Sequence, residues 1–214
     1  MPLEGAARVV LHNLCALHRL HTGSPCRALR MTYTLRLATT EDARLLPAIE
    51  QSAAQAFMAL PALAWIAEHT VLSRVDHLEF VAAGLEWVVV DEQDLPLGFV
   101  CATAFDEALH IEELAVAHAH QGQGLGRRLI DAVRHHAQAN GFEALTLTTF
   151  IDVPWNAPFY TRLGFEVLDE AGLSEMLRQQ MAYEASRGLK GRCAMRIAGL
   201  GIQPIGPLET HFQI

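Results

Sequence analysis

Two stretches hold most of the residues that could do chemistry. One runs from His110 to Arg128, HIEELAVAHAHQGQGLGRR, and the other from Trp155 to Phe165, WNAPFYTRLGF. Gly122, Gly124 and Gly126 alternate with other residues between Gln121 and Arg127. Glycine lets backbone approach a ligand closely and adopt conformations closed to other residues. A helix start leaves N–H groups unpartnered and carries a partial positive charge. A glycine turn between a strand and a helix is therefore an anion cradle, most naturally for a phosphate or pyrophosphate. The spacing narrows the ligand. A dinucleotide fingerprint begun at Gly122 would need glycine where Arg127 stands, and one begun at Gly124 would need it at Leu129. A P-loop would need Gly-Lys-Ser/Thr, which does not follow.

Groups that move protons lie beside this cradle. Period-two alternation puts His110, Glu112, Leu114 and Val116 on one strand face, and Ile111, Glu113 and Ala115 on the other. A β-bulge would exchange the faces, which keeps Glu113 in reserve. His118, His120, His135 and His136 read as solvated loop and helix residues. Cys101, in an apolar strand, reads as core.

Gln121, Gly124 and Gly126 fit Gln/Arg-x-x-Gly-x-Gly/Ala, which resembles the coenzyme A pyrophosphate loop of the GNAT N-acetyltransferase superfamily. Phe159-Tyr160 followed by Leu163-Gly164-Phe165 resembles the helix that flanks coenzyme A in that family. The resemblance covers residues 32–198. It implies the GNAT fold: α/β, with a mixed, mostly antiparallel central sheet of about seven strands flanked by helices. It implies acetyl-CoA as co-substrate, and no metal is expected. Gln121, Gly122, Gln123, Gly124, Leu125, Gly126 and Arg127 would form the pyrophosphate loop. Backbone groups of Leu114, Ala115 and Val116 would bind the pantetheine arm and polarise the thioester carbonyl. Tyr160 would protonate the leaving thiolate, with Phe159 and Asn156 against the cofactor. The family often has Asn seven residues before this tyrosine. Val153 stands there, and Asn156 lies four before.

Acetyl transfer to an amine requires an uncharged amine, although a free alkylamine has a pKa of about 10.4. It also requires a polarised carbonyl and a stabilised thiolate. Glu112 is assigned as the base, acting through water, with His110 as helper. The competing reading makes Glu112 and Glu113 surface-facing strand residues. The expected activity is transfer from acetyl-CoA to a primary amine by direct attack in a ternary complex. Another acyl-CoA donor, or a non-catalytic acyl-CoA sensor, are the alternatives. Tyr160 together with the glutamate-bearing strand weighs against the sensor. The acceptor would be chosen by the segment from Gln51 to Leu78. A small amine, an amino acid, an aminoglycoside and a protein N-terminus all remain open.

These groups must be positioned by ordinary α/β elements. Thr32 to Ala38 alternates as a strand, and Thr39 to about Phe57 reads as a helix. From Pro61 to His69 the pattern mixes helix and loop. Ser73 and Asp76 resemble a cap before a short helix ending at Gly84. Leu85–Val90 and Leu97–Phe105 form a hairpin, followed by the strand to Val116, the glycine loop and a helix stopped by Gly141. Ala144–Phe150 is a strand, Asn156–Leu163 a short helix, Phe165–Leu168 a strand, Leu173–Arg187 a helix and Arg192–Ala198 the last strand.

Composition bounds the rest. The chain has 214 residues, of which 51% are hydrophobic, enough for one core. A net charge of −8 argues against nucleic acid as partner. No apolar run approaches the roughly 20 residues needed to cross a membrane. Cys15, Cys26, Cys101 and Cys193 form no C-x-x-C pair and read as reduced thiols, so a cytoplasmic location is expected. A homodimer is compatible with the sequence. Residues 1–30 carry Arg8, Arg19, Arg27 and Arg30 and, after Glu4, no acid. They read as a dispensable extension before Met31, in preference to a targeting peptide or a metal site of His12, Cys15, His18, His21 and Cys26. Residues 31–198 are expected to form the domain and 199–214 a tail.

Overall fold

The computed structural model describes residues 32–68 and 71–200. The 1–30 extension, His69 and the tail beyond Leu200 lie outside the described residues. Seven strands form one sheet: β1 (Thr34–Leu37), β2 (Glu86–Val90), β3 (Pro96–Phe105), β4 (Ala108–Val116), β5 (Ala144–Phe150), β6 (Glu166–Val167) and β7 (Arg192–Ala198). Their order is β1-β2-β3-β4-β5-β7-β6. Every neighbouring pair is antiparallel except β4–β5, which is parallel. The helices are α1 (Leu46–Ala54), α2 (Arg74–Ala83), α3 (Leu125–Ala139), α4 (Ala157–Thr161) and α5 (Glu175–Ser186). This is the mixed, helix-flanked sheet expected from the sequence.

Two cores cover the sheet. Leu129, Ile130 and Val133 of α3 pack with Leu109, Ile111, Leu114 and Val116 of β4 and Leu145 and Leu147 of β5. On the opposite face, Leu46 and Ile49 of α1 and Phe80 of α2 pack with Val88, Phe99, Cys101 and Ala115. Local signals set α2. Ser73 and Asp76 form a reciprocal capping box, and Gly84 closes the helix at φ 69°. The helix expected from Thr39 to Phe57 is instead three pieces: a 3-10 turn at Asp42–Arg44, then α1, then a second 3-10 turn at Gln55–Ala59. Pro47 suits the first turn of α1 because it offers no N–H to a preceding carbonyl. Asp42 is buried and accepts bonds from the Thr39 N–H (2.7 Å) and from Arg36 Nη1 (2.7 Å), so it staples β1 to this corner.

The feature that makes a site is a split in the sheet. β4 and β5 pair only from Ala108–His110 to Ala144–Thr146. Beyond that point, Leu114–Val116 stay with β3 while Leu147–Phe150 stay with β7. The two strands therefore part like the arms of a V, with His110 and Thr146 at the vertex.

The arm formed by β3 and β4 leaves no room at Gly98. A Cβ there would lie 2.8 Å from the Ala115 carbonyl oxygen and 2.9 Å from Val116 Cγ2. Both neighbours belong to the strand that edges the cleft. Gly98→Ala should destabilise the fold by about 1–3 kcal/mol, the usual cost of overpacking a closed site. An unchanged urea midpoint would mean that β4 can move aside.

Candidate active site

A β-bulge decides which β4 side chains face which side. Cys101 pairs with Glu113 and the next residue, Ala102, with Ile111, so Glu112 is the extra residue. Strict alternation therefore fails here. Ile111 joins Leu114 and Val116 in the α3-side core, where alternation would oppose them. Ala115 belongs to the α1/α2-side core, and Glu113, two residues earlier, shares its face. Glu113 is buried and Glu112 half-buried.

The β4 edge lining the cleft can be read from its hydrogen bonds. The Ala117 N–H donates to Leu97 O (2.8 Å) on the β3 side. By alternation, the N–H and C=O groups of Leu114 and Val116 point away from β3, into the split. Two observations agree: the Val116 carbonyl accepts from Gln121 Nε2 (3.0 Å), and the Leu114 N–H donates to Glu113 Oε1 (3.1 Å). Ala115 turns its carbonyl to β3, beside Gly98. Of the three residues expected to offer backbone to a ligand, only Leu114 and Val116 turn N–H and C=O toward the split.

The cleft ends at the glycine loop. Gly122 and Gly124 have φ of 76° and 79°, a region that favours glycine. Gly124 is the residue before α3, and no side chain caps the helix start. A Cβ at Gly124 would meet nothing within 4 Å, so the space over this helix start is open. Leu125 is buried and anchors the first turn, while Gln123, Gly124 and Arg127 are exposed and Gly126 half-buried. Gln121 ties the loop to β4. The Tyr33 hydroxyl donates to Gln123 Oε1, and Arg128 Nη2 donates to the Tyr33 carbonyl (3.0 Å), bracing the loop against the start of β1.

At the vertex, His110 is buried with Nδ1 2.9 Å from Thr146 Oγ1, and Nε2 has no hydrogen-bond partner among the described residues. Burial lowers its pKa from the usual 6.5, against the raising charges of Glu112 and Glu184. The ring is therefore neutral at pH 7. Tyr160 of α4 is fully buried, with ring centroids of Phe159 and Phe165 at 5.0 and 5.5 Å. Burial, then the charge of Glu113, push its phenol well above the ordinary range, while Arg192 pulls the other way. Asn156 precedes α4, wholly buried, and neither end of its amide has a hydrogen-bond partner among the described residues. A buried amide without partners is costly.

Other residues packed around β5 were not singled out from the sequence. Thr148, on the same β5 face as Thr146, donates to Glu184 Oε1 of α5 (2.6 Å). Arg192 grips Glu184 through Nε (2.8 Å) and Nη2 (3.1 Å), and its guanidinium lies 4.7 Å from the Phe150 ring centroid. Phe57 packs against both Phe150 (5.8 Å) and Trp155 (6.4 Å). The alternating threonines of ALTLTTF were the available signal for a polar face; the pairing with α5 had none.

A strand split beside an uncapped, glycine-fronted helix is a cleft with an anion-favouring end. Residues 50–165, more than half of the chain, match the model of the acetyltransferase (GNAT) family, and the chain belongs to that family. It is thereby an acyltransferase by fold and family. Solved structures similar to it include N-acetylglutamate synthase from Neisseria gonorrhoeae, complexed with coenzyme A and N-acetyl-glutamate. That match has 17% identity and a TM-score of 0.58, and covers 78% of this chain but 35% of the synthase. PaiA N-acetyltransferase from Thermoplasma acidophilum, in complex with coenzyme A, is 15% identical over 78% of this chain and 99% of its own (TM-score 0.58). The ribosomal-protein-S18-alanine N-acetyltransferase of Escherichia coli is 16% identical over 82% and 98% (TM-score 0.54). At such identities the likeness is one of fold. No helix among the described residues is long and apolar enough to cross a membrane.

Proposed function

We propose that this protein transfers the acetyl group of acetyl-CoA to a primary amine by direct attack in a ternary complex. The observation that carries the reading is the β4–β5 split running into the open, uncapped start of α3. The backbone N–H groups from Gly122 to Arg127 would hold the pyrophosphate, which a helix start favours. Leu114 and Val116 would bind the pantetheine arm through their edge groups, with Asn156 supplying its amide and Phe159 a half-buried ring. Coenzyme A would supply the thioester that carries the acetyl group. The Leu114 N–H would polarise its carbonyl, as an oxyanion donor does. Glu112, half-exposed on the bulge, would accept the amine proton through water, with neutral His110 as helper. Tyr160, held protonated, would donate to the departing sulfur. The acceptor would enter beside Phe57, Phe150 and Trp155, within or next to the Gln51–Leu78 segment. Small amines, amino acids, aminoglycosides and protein N-termini are the candidates.

Acetyl-CoA at 100 times its dissociation constant should stabilise the fold by about 2.7 kcal/mol. Gly124→Val should abolish that gain: valine is strained at φ 79°, and its side chain would fill the space left for phosphate. Thermal unfolding with and without acetyl-CoA checks both expectations. An unmoved wild-type transition would sink the reading. An acceptor panel with detection of free coenzyme A thiol would then identify the amine.

A further inference from the structure

The Leu114 N–H is not open. It points into the split and donates to the carboxylate of its own neighbour, Glu113, at 3.1 Å. Glu113 directly precedes that amide in the chain, its side chain is buried, and the bulge sets it on the same face as Ala115. That carboxylate sits in an acidic neighbourhood. Glu86 and Glu113 are the β2 and β4 register partners of Cys101, and Glu50 of α1 is buried nearby. Burial first, and then the charges of Glu86, Glu112, Glu113 and Glu50, push the Cys101 thiol well above its ordinary range. A carboxylate in such company needs a donor, and the Leu114 N–H is one that it has.

We infer that Glu113 is a displaceable cover over the amide that binds the thioester carbonyl, withdrawn only for a ligand that brings a carbonyl of its own. This rests on the acyl-CoA reading above. Two acceptors compete for one N–H, so each acyl thioester must dislodge the Glu113 carboxyl oxygen. Coenzyme A without an acyl group leaves the cover in place. After transfer, Glu113 returns to the Leu114 N–H and dislodges the carbonyl of the amide product. The residue thus sets the balance between acylated and free coenzyme without touching the reacting atoms, and is a positioning residue.

The test compares acetyl-CoA with its S-ethyl thioether, which has nearly the same shape but no carbonyl. Calorimetric dissociation constants for both would be measured on the wild type, Glu113→Gln and Glu113→Ala. Removing the cover should tighten acetyl-CoA by about tenfold relative to the thioether, the scale of one charge-assisted hydrogen bond. The glutamine variant, with a neutral acceptor, should fall between. Infrared difference spectra of the wild type give a second readout that needs no variant. A glutamate carboxylate band should shift on addition of acetyl-CoA and stay still with the thioether. An unchanged acetyl-to-ethyl ratio in the variants, or identical spectra with the two ligands, would overturn the inference while leaving the acyl-CoA reading standing. Failure of both ligands to bind the wild type would overturn both.

Discussion

Tyr160→Phe is expected to lower turnover by about 100- to 10,000-fold, or roughly 3 to 5.5 kcal/mol of barrier, the range spanned by general acid–base groups. The substitution keeps the ring and therefore the contacts with Phe159 and Phe165, so thermal stability should change little. Coenzyme binding should also survive, because a general acid acts only as sulfur leaves. The pH profile separates this role from others. Burial and Glu113 raise the Tyr160 phenol above its usual pKa of 10.0, so the proton stays on through neutral and mildly alkaline pH. Loss of activity on raising the pH toward 10 is therefore not expected from Tyr160. His110 has the opposite sign. Its pKa is lowered from 6.5 by burial, so it is neutral at pH 7 and gains a proton only at a lower pH than a free imidazole does. Turnover and coenzyme affinity of wild type and mutant would be measured with an acceptor from the panel. Weakened coenzyme binding with unchanged turnover would make Tyr160 a cofactor clamp. Full activity would mean that water protonates the thiolate.

Glu184→Ala should be the most destabilising of the substitutions considered. The side chains of Glu184 and Arg192 are 0% and 2% exposed. Glu184 also accepts from Thr148 and from Gln180 Nε2 (3.1 Å). Truncating it strips this carboxylate from a buried guanidinium, and breaking such a pair costs about 3–5 kcal/mol. For a chain of this size that is a fall in Tm of roughly 6–20 °C. Replacing both partners by apolar residues should recover much of the loss, because no charge then remains buried. A double-mutant cycle with Glu184→Leu and Arg192→Met, followed by calorimetry, measures the recovery. Additive losses would mean that the two side chains act independently. The pair ties α5 to β5 and β7, so the double variant should also alter acceptor use even when its stability returns.

Features encoded over a few neighbouring residues were legible from the residues themselves. β5 and β7 begin and end where their apolar patterns do, at Ala144–Phe150 and Arg192–Ala198. α2 is bounded by its capping box and by Gly84, and the helix after the glycine loop stops before Gly141. The glycine loop was legible because an anion cradle needs glycine at particular positions, here Gly122 and Gly124 with positive φ. The long first helix was misread because propensity runs through Thr39 to Phe57, while the Asp42–Arg36 staple and Pro47 divide it. Tertiary structure alone decided the rest. Whether Glu112 or Glu113 is buried depends on a one-residue slip between β3 and β4, which neither strand's own pattern contains. The parting of β4 and β5, and the meeting of Thr148 with Glu184 across 36 positions, likewise depend on how distant elements dock. Periodicity says which faces a strand has; only packing against its neighbours says where that periodicity breaks, and in this protein the break lies in the cleft.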